Sequence, residues 1–335
     1  MKRLLGAFGV LLLIGLHSAG AVGFQWATAP DPDDAPLQVA IWYPSGGATA
    51  DAMLGAFDMD VAVNGAVSGS NHPLIVMSHG TGGTALNSFG TAMALAEAGF
   101  VVVAVTHTGD NYRDHSTSFT RRDFVDRPRH ITRVIDFMLA AWSGHASIDP
   151  TRIGIFGHSA GGTTALIAIG GVADLGQVAA FCQGNTDDWG CQHMRQRGPI
   201  PQGTVSTPIS GPDARIKAAV MAAPAVTIAF QPNGLAAVKV PVQLWVGERD
   251  EIVTDGSLVR TLLPTPPDYH LVANGGHFAY LTPCNEMLAK SAAEICADPK
   301  GFDRATFLTG FNRSIIAFYR EQLKSPATEP QRSPG

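Results

Sequence analysis

Residues 152–171 read RIGIFGHSAGGTTALIAIGG, and the fold turns on how this stretch divides. Ile153-Gly154-Ile155-Phe156 is a short apolar run, the pattern of a strand covered on both faces. From Ala160 onward small and apolar residues dominate, a helical candidate over 160–171. Between the two, Gly157-His158-Ser159-Ala160-Gly161 matches G-x-S-x-G. A strand that bends directly into a helix through small residues projects its serine hydroxyl at the carboxyl end of a sheet. The helix amino terminus then lies beneath any negative charge that develops on a bound group. A plain loop serine is the competing reading, and the strand before Ser159 and helix after it argue against that.

Working outward, apolar runs and helical patterns alternate, as in a mostly parallel, doubly wound sheet with helices on both faces. Strands are expected at Gln38–Tyr43, Leu74–Ser78, Phe100–Thr106, Arg152–Gly157, Ile216–Ala222, Val240–Val246 and Tyr269–Ala273. Helices are expected near 86–98, 128–142, 160–171 and 304–323, with Pro128 in the first turn of the second, where its missing N–H costs nothing. The class is α/β, with one domain over 22–324. Three stretches break the rhythm. Residues 107–127 are polar and charged, and 325–335 is a Pro/Ser tail expected to be disordered. Residues 172–214 are too long for an ordinary connection, so they are expected to pack as an insert over the active-site edge of the sheet.

The 335 residues are 45% hydrophobic and 15% charged, too apolar for a disordered chain. A formal net charge of −5 with no long basic run argues against phosphate-backbone binding, so no nucleic-acid partner is expected. Lys2 and Arg3 precede an apolar run from Leu4 to Leu16, and Ala19-Gly20-Ala21 follows as an A-x-A-like site. Residues 1–21 therefore read as a secretory signal peptide, and an exported chain with no stable membrane insertion after cleavage is expected. The run is shorter than the ~20 residues of a spanning helix. Export makes Cys182, Cys191, Cys284 and Cys296 a disulfide set. Three connectivities are open, and the local pairs Cys182 with Cys191 and Cys284 with Cys296 are favoured. Their spacing does not resemble a metal knuckle, so no metal is expected.

A serine hydroxyl needs a base, and the base needs an orienting acid. After a G-x-S-x-G elbow the acid follows a late strand and the histidine follows the acid. VPVQLWVGERDEIV supplies a strand and then Asp250, and ANGGHFAYL supplies His277 in a glycine-softened loop. Glu248 is the rival acid, with Asp187 and Asp188 in the insert behind it. His270 falls within a strand pattern, and His107, His115, His130 and His145 precede the elbow, so none of these fits the order. The oxyanion of a tetrahedral intermediate needs two N–H donors. The backbone of Ala160 is one candidate. The other is Thr81 in Ser78-His79-Gly80-Thr81-Gly82-Gly83, after an early strand. Gly80, Gly82 and Ala85 also match G-x-G-x-x-A, a dinucleotide fingerprint. That reading wants an acid at the end of the next strand, but Asp110 arrives late, so no cofactor is expected.

Taken together, SHGTGG, AEAGFVVVAVTHTGDN, FGHSAGG, VGERDEIV and NGGHFAYL resemble the exported α/β-hydrolases grouped with platelet-activating-factor acetylhydrolase and the dienelactone hydrolases. The likeness spans about residues 36–281. It implies the α/β-hydrolase fold and serine carboxylester hydrolysis, with Ser159 as nucleophile, His277 as base, and Thr81 and Ala160 forming the oxyanion hole. Two departures stand out. The acetylhydrolases take their acid just after the strand following the elbow helix, where MAAPAV here offers no carboxylate, which leaves Asp250 at the later position. Dienelactone hydrolases use a cysteine nucleophile where this chain has Ser159. The expected substrate is a small-molecule or lipid-like ester, with Phe181 and Trp189 of the insert, or Phe119 and Phe124, walling its pocket. A peptidase of the same fold and a non-catalytic secreted binding protein are the alternatives. The oligomeric state is not legible.

Overall fold

The computed structural model describes residues 20–197 and 208–325. The expected leader, apart from Gly20 and Ala21, and the expected tail, apart from Ser325, lie outside the described residues. Ala21 itself opens the first strand, β1 (Ala21–Ala29), which runs antiparallel to β2 (Leu37–Ser45). β3 (Ala50–Leu54) and β4 (Phe57–Val63) form a hairpin. None of β1, β3 and β4 was expected. The alternation in Phe57-Asp58-Met59-Asp60-Val61 is nonetheless that of a half-buried strand, and the odd positions are the buried ones.

The remaining main strands fall within a few residues of their expected places. They are β5 (His72–Ser78), β6 (Val101–Thr106) and β7 (Ile148–His158). After the two-residue strands β8 (Ala173–Asp174) and β9 (Pro208–Ile209) come β10 (Ile216–Ala222), β11 (Val242–Gly247) and β12 (Asp268–Val272). The ten-stranded sheet has the order β12-β11-β10-β7-β5-β6-β2-β1-β4-β3. From β6 through β12 every pairing in this sheet is parallel. The chain leaves β5 toward β6 on one side and returns to lay β7 on the other, so the order reverses between β5 and β7. A crevice opens at such a switch point, outside the carboxyl ends of the strands.

Helices cover both faces. α1 (Phe89–Glu97) lies on one, and α2 (Arg121–Ala140) and α3 (Ala160–Ala168) on the other. The insert carries α4 (Leu175–Gly184) and α5 (Trp189–Arg197). Four short helices follow: α6 (Pro232–Leu235), α7 (Val259–Leu262), α8 (Glu286–Ser291) and α9 (Ala293–Cys296). The last is α10 (Arg304–Gln322), which packs with α1. Successive side chains of a strand point to opposite faces. Val101, Val103 and Val105 accordingly enter the core beneath α2 and α3, and Val102 and Ala104 enter the one beneath α1 and α10. This explains the continuous apolar runs in the sequence. Each such valine contributes about 1.5–3 kcal/mol on burial.

One helix corrects its expectation. α2 begins at Arg121, and Pro128 lies inside it rather than in its first turn. An interior proline costs about 3 kcal/mol through its lost hydrogen bond and ring clash. The turns ahead of it are held by ion pairs of Arg122 and Arg129 with Asp126, and of Arg127 with Asp110. These tertiary and local contacts outweigh the proline penalty. The cysteines form the two favoured pairs, Cys182–Cys191 and Cys284–Cys296, with Cα separations of 5.4 and 5.6 Å.

Candidate active site

Ser159 sits between the end of β7 and the first residue of α3, with φ 55° and ψ −121°. This conformation is costly for a residue with a side chain and persists only where its surroundings enforce it. The Ser159 N–H donates to the Ala222 carbonyl at 3.0 Å, and its carbonyl accepts from the N–H groups of Gly162 (2.8 Å) and Ala225 (3.1 Å). Two glycines make the bend sterically feasible. A Cβ on Gly157 would overlap the Gly161 carbonyl, and one on Gly161 would overlap the Ser78 carbonyl at the end of β5.

His277 follows β12 in a short 3-10 turn, and its Nε2 lies 3.0 Å from Ser159 Oγ. Its Nδ1 lies 2.8 Å from Asp250 Oδ2. The other oxygen of Asp250 accepts the N–H groups of Ile252 (3.0 Å) and Val253 (2.8 Å), so the loop after β11 fixes that carboxylate. All three side chains are buried. Glu248, the rival acid, is exposed and accepts the Asn274 N–H at 2.8 Å, away from the imidazole. Asp188 instead accepts the Cys191 N–H near the start of α5. Below the triad, buried His158 donates from Nε2 to the His277 carbonyl at 3.0 Å. Burial foremost, and then the neighbouring His277, lower its pKa to about 3, so it is a neutral support.

Thr81 and Ala160 both line the cleft above Ser159. A Cβ on Gly80 would lie 3.1 Å from the Ser159 Cβ, which shows how closely the glycine loop approaches the serine. Within that loop the N–H of Gly82 donates to Asp110 Oδ1 at 2.9 Å and that of Gly83 to the Gly80 carbonyl at 3.1 Å. The Thr81 N–H makes no hydrogen bond among the described residues. Ala160 N–H, first in α3, has no intrahelical acceptor. Two unsatisfied donors thus flank the hydroxyl.

A buried polar cluster behind the loop was not foreseen. Arg127 pairs with Asp110 at 2.5 Å and donates to the His79 carbonyl, while Asp110 also accepts the Ser118 hydroxyl at 2.6 Å. His107 N–H donates to His79 Nε2 at 3.1 Å, and His107 Nδ1 lies 3.1 Å from His130 Nδ1. The signal for it was the density of Asp, Arg and His over 107–130, of which 107–127 reads in the sequence only as polar and charged. The cleft itself has a volume of about 230 Å³. Phe119 and Phe124 line it from the α2 side, and Phe181, Trp189 and the Cys182–Cys191 bridge line it from the insert. No cluster of His, Cys, Asp or Glu suited to a metal occurs among the described residues.

Comparison with known proteins agrees with this architecture. Residues 43–130 match the model of platelet-activating factor acetylhydrolase, isoform II, and residues 87–251 that of the prolyl oligopeptidase family. Among solved structures, a ferulic acid esterase from Streptomyces cinnamoneus is 17% identical over 93% of this chain and 95% of its own, with a TM-score of 0.62. A dienelactone hydrolase-like promiscuous phosphotriesterase from metagenomic libraries is 14% identical over 90% of this chain and 99% of its own, at 0.51. A puromycin-hydrolyzing peptidase of Mycobacterium tuberculosis is 16% identical over 90% of this chain but 39% of its own, at 0.53. The curated proteins contain no match to the sequence. By its sheet order, its helices on both faces and these likenesses, the chain is an α/β-hydrolase in fold.

Proposed function

We propose that this protein is an exported serine hydrolase that cleaves carboxylic esters through an acyl-enzyme. The observation that carries the reading is the unbroken chain from Ser159 Oγ through His277 to Asp250, set on a strained turn at the floor of a cleft. His277 Nε2 takes the Ser159 proton as Oγ attacks the ester carbonyl, and Asp250 holds the Nδ1–H and stabilises the imidazolium. The oxyanion faces the Thr81 and Ala160 N–H groups, each such donor being worth about 10²–10³ in rate. Collapse of this intermediate breaks the ester C–O bond, and His277 returns the proton to the departing alcohol. Water then repeats the sequence on the acyl-serine, releasing the acid. No step requires a cofactor. The two disulfides support an oxidising compartment, in keeping with export.

Ser159→Ala should leave the thermal unfolding midpoint within a few degrees and abolish turnover of 4-nitrophenyl acetate and labelling by a fluorophosphonate probe. Retained turnover in that variant sinks the proposal. Amide cleavage is the second reading, favoured by the match of residues 87–251 to the prolyl oligopeptidase family. Paired esters and anilides of one acyl group separate the two, the ester reading requiring the larger kcat/KM on the ester.

A further inference from the structure

The inner face of α2 presents two buried polar side chains to the cleft, Asp123 and Arg127, one helical turn apart. Both are almost fully inaccessible, at 6% and 2% exposure. The guanidinium ends of Arg127 are used by Asp110 and the His79 carbonyl, yet its Nε–H has no partner among the described residues. Asp123 Oδ1 likewise has none. A buried polar atom without a partner is uncommon, because its desolvation goes uncompensated. Here two such atoms, a cationic donor and a carboxyl oxygen, occur on one turn of one helix that lines the cleft.

We propose that Asp123 and Arg127 form a substrate subsite that receives a neutral hydroxyl group on an otherwise apolar ester. The inference rests on the esterase reading above and deepens it to a substrate class. A hydroxyl both accepts and donates, so it takes the Arg127 Nε–H and gives its own hydrogen to Asp123. The surroundings favour a neutral group. Burial foremost, and then the Asp110 carboxylate, which also shares a side-chain hydrogen bond with Asp123, push the Asp123 carboxyl well above the usual carboxylate range, which disfavours its charged form and with it the binding of a cation. An anionic substituent would meet Asp110, whose charge is already matched by Arg127. Phe119 and Phe124 line the same cleft and suit the apolar body that carries the hydroxyl. A site that hydrogen-bonds a hydroxyl discriminates strongly against the analogue without it, since its own buried groups are then left unpaired.

The test uses the full-length protein and matched ester pairs that differ by one hydroxyl. One pair carries it on the acyl side, methyl 4-hydroxyphenylpropanoate against methyl 3-phenylpropanoate, and one on the alcohol side, 2-(4-hydroxyphenyl)ethyl against 2-phenylethyl acetate. The expected result is a kcat/KM ratio of at least about tenfold in favour of the hydroxylated member in one pair, which also identifies the side bound. Asp123→Leu should bring that ratio near one, and Asp123→Asn, which still donates and accepts, should keep most of it. Ratios near one in both pairs of the wild type overturn the proposal without recourse to any variant, and mean that the two atoms bind only structural water. A ratio that persists in Asp123→Leu overturns it as well. Ser159→Ala distinguishes the two levels: turnover surviving there defeats the esterase reading itself, whereas flat ratios with a dead Ser159→Ala defeat only the subsite.

Discussion

Asp250 Oδ2 lies 2.8 Å from His277 Nδ1, while Glu248, two residues earlier on the same loop, turns outward to the Asn274 backbone. The strand β11 ends at Gly247, and the chain beyond it curls so that the Asp250 carboxylate folds back over the N–H groups of Ile252 and Val253. Asp250→Asn should therefore lower kcat by about 10⁴, because an amide there favours the wrong imidazole tautomer. Glu248→Gln should stay within about threefold of wild type. Steady-state kinetics on one activated ester checks both, and comparable losses in the two variants would reassign the acid.

The bend around Ser159 leaves no room for a side chain on either flank. Gly161→Ala would push a methyl group into the Ser78 carbonyl, and Gly157→Ala into the Gly161 carbonyl. Both neighbours are backbone, one at the end of the central strand β5 and one in the first turn of α3, and neither can rotate away. A loss of more than about 3 kcal/mol is expected for each, at the severe end for single substitutions. Urea unfolding monitored by tryptophan fluorescence measures it, and a variant of wild-type stability would show that the elbow is looser than its contacts indicate.

Acid should destabilise the protein earlier than its carboxylates alone would require. Burial foremost lowers the pKa of His79 to about 3, of His130 to about 4 and of His158 to about 3, and holds His107 well below its ordinary 6.5. Below pH 6.5 the unfolded chain takes up protons that these native imidazoles refuse. Stability is therefore complete above the ordinary value and lost as pH falls from 6.5 toward 3–4, at about 1.4 kcal/mol per unit for each group. Asp123 and Asp255 have raised values and act with the opposite sign as pH rises above 3.8, so four groups oppose two over the shared range. Unfolding midpoints between pH 7.5 and 4.5 should fall steadily, and a flat profile would contradict the burial of these histidines as neutral groups.

The candidate residues that the sequence picked out and the structure brings together share one property: they are found from chain order. Ser159, Asp250 and His277 follow β7, β11 and β12. The first two strands end in continuous apolar runs because both faces are covered, whereas β12, at the sheet edge, is mostly exposed or half-buried and was legible from its place in the chain order. The N-terminal strands were missed for the opposite reason. β1 mixes small and polar residues and follows directly on the expected leader, and β3 is exposed along most of its length. The start of α2 was missed because Pro128 carries a strong local signal that ion pairs of Arg122, Arg127 and Arg129 override, and those pairs are tertiary or depend on the helix already being formed. Residues 107–127 read only as polar and charged, and their burial was not legible because it comes from mutual pairing, which has no periodicity to read.

The insert is tied to the cleft by its own bridge. Cys182 in α4 and Cys191 in α5 are both buried and line the cleft beside Phe181 and Trp189. Closing a loop of this length contributes about 2–3 kcal/mol in the chain-entropy view. The double variant Cys182→Ala/Cys191→Ala should lower the unfolding midpoint by about 5–10 °C. Its KM should rise more than its kcat falls, since the wall is loosened and the triad is not. A fall confined to kcat would place the bridge's influence on the chemistry instead.

Arg127 and Asp110 connect that outer wall to the centre of the site. Asp110 accepts the Gly82 N–H, and Arg127 holds the His79 carbonyl, so the pair grips the glycine loop on both sides of Thr81. Their side chains are 3% and 0% exposed, where a lone charge is far more costly than a matched pair. Asp110→Asn leaves Arg127 uncompensated and should cost about 3–5 kcal/mol of stability. Replacing both, as Asp110→Asn with Arg127→Met, removes the unmatched charge and should recover much of that loss. Catalysis should not recover with it, because the His79 carbonyl has lost its Arg127 donor and the loop that carries Thr81, the proposed oxyanion donor, is held less firmly. A double variant that regains stability while its kcat stays at least tenfold below wild type, with KM little changed, is the expected outcome. Recovery of kcat in step with stability would mean that the pair serves the fold alone.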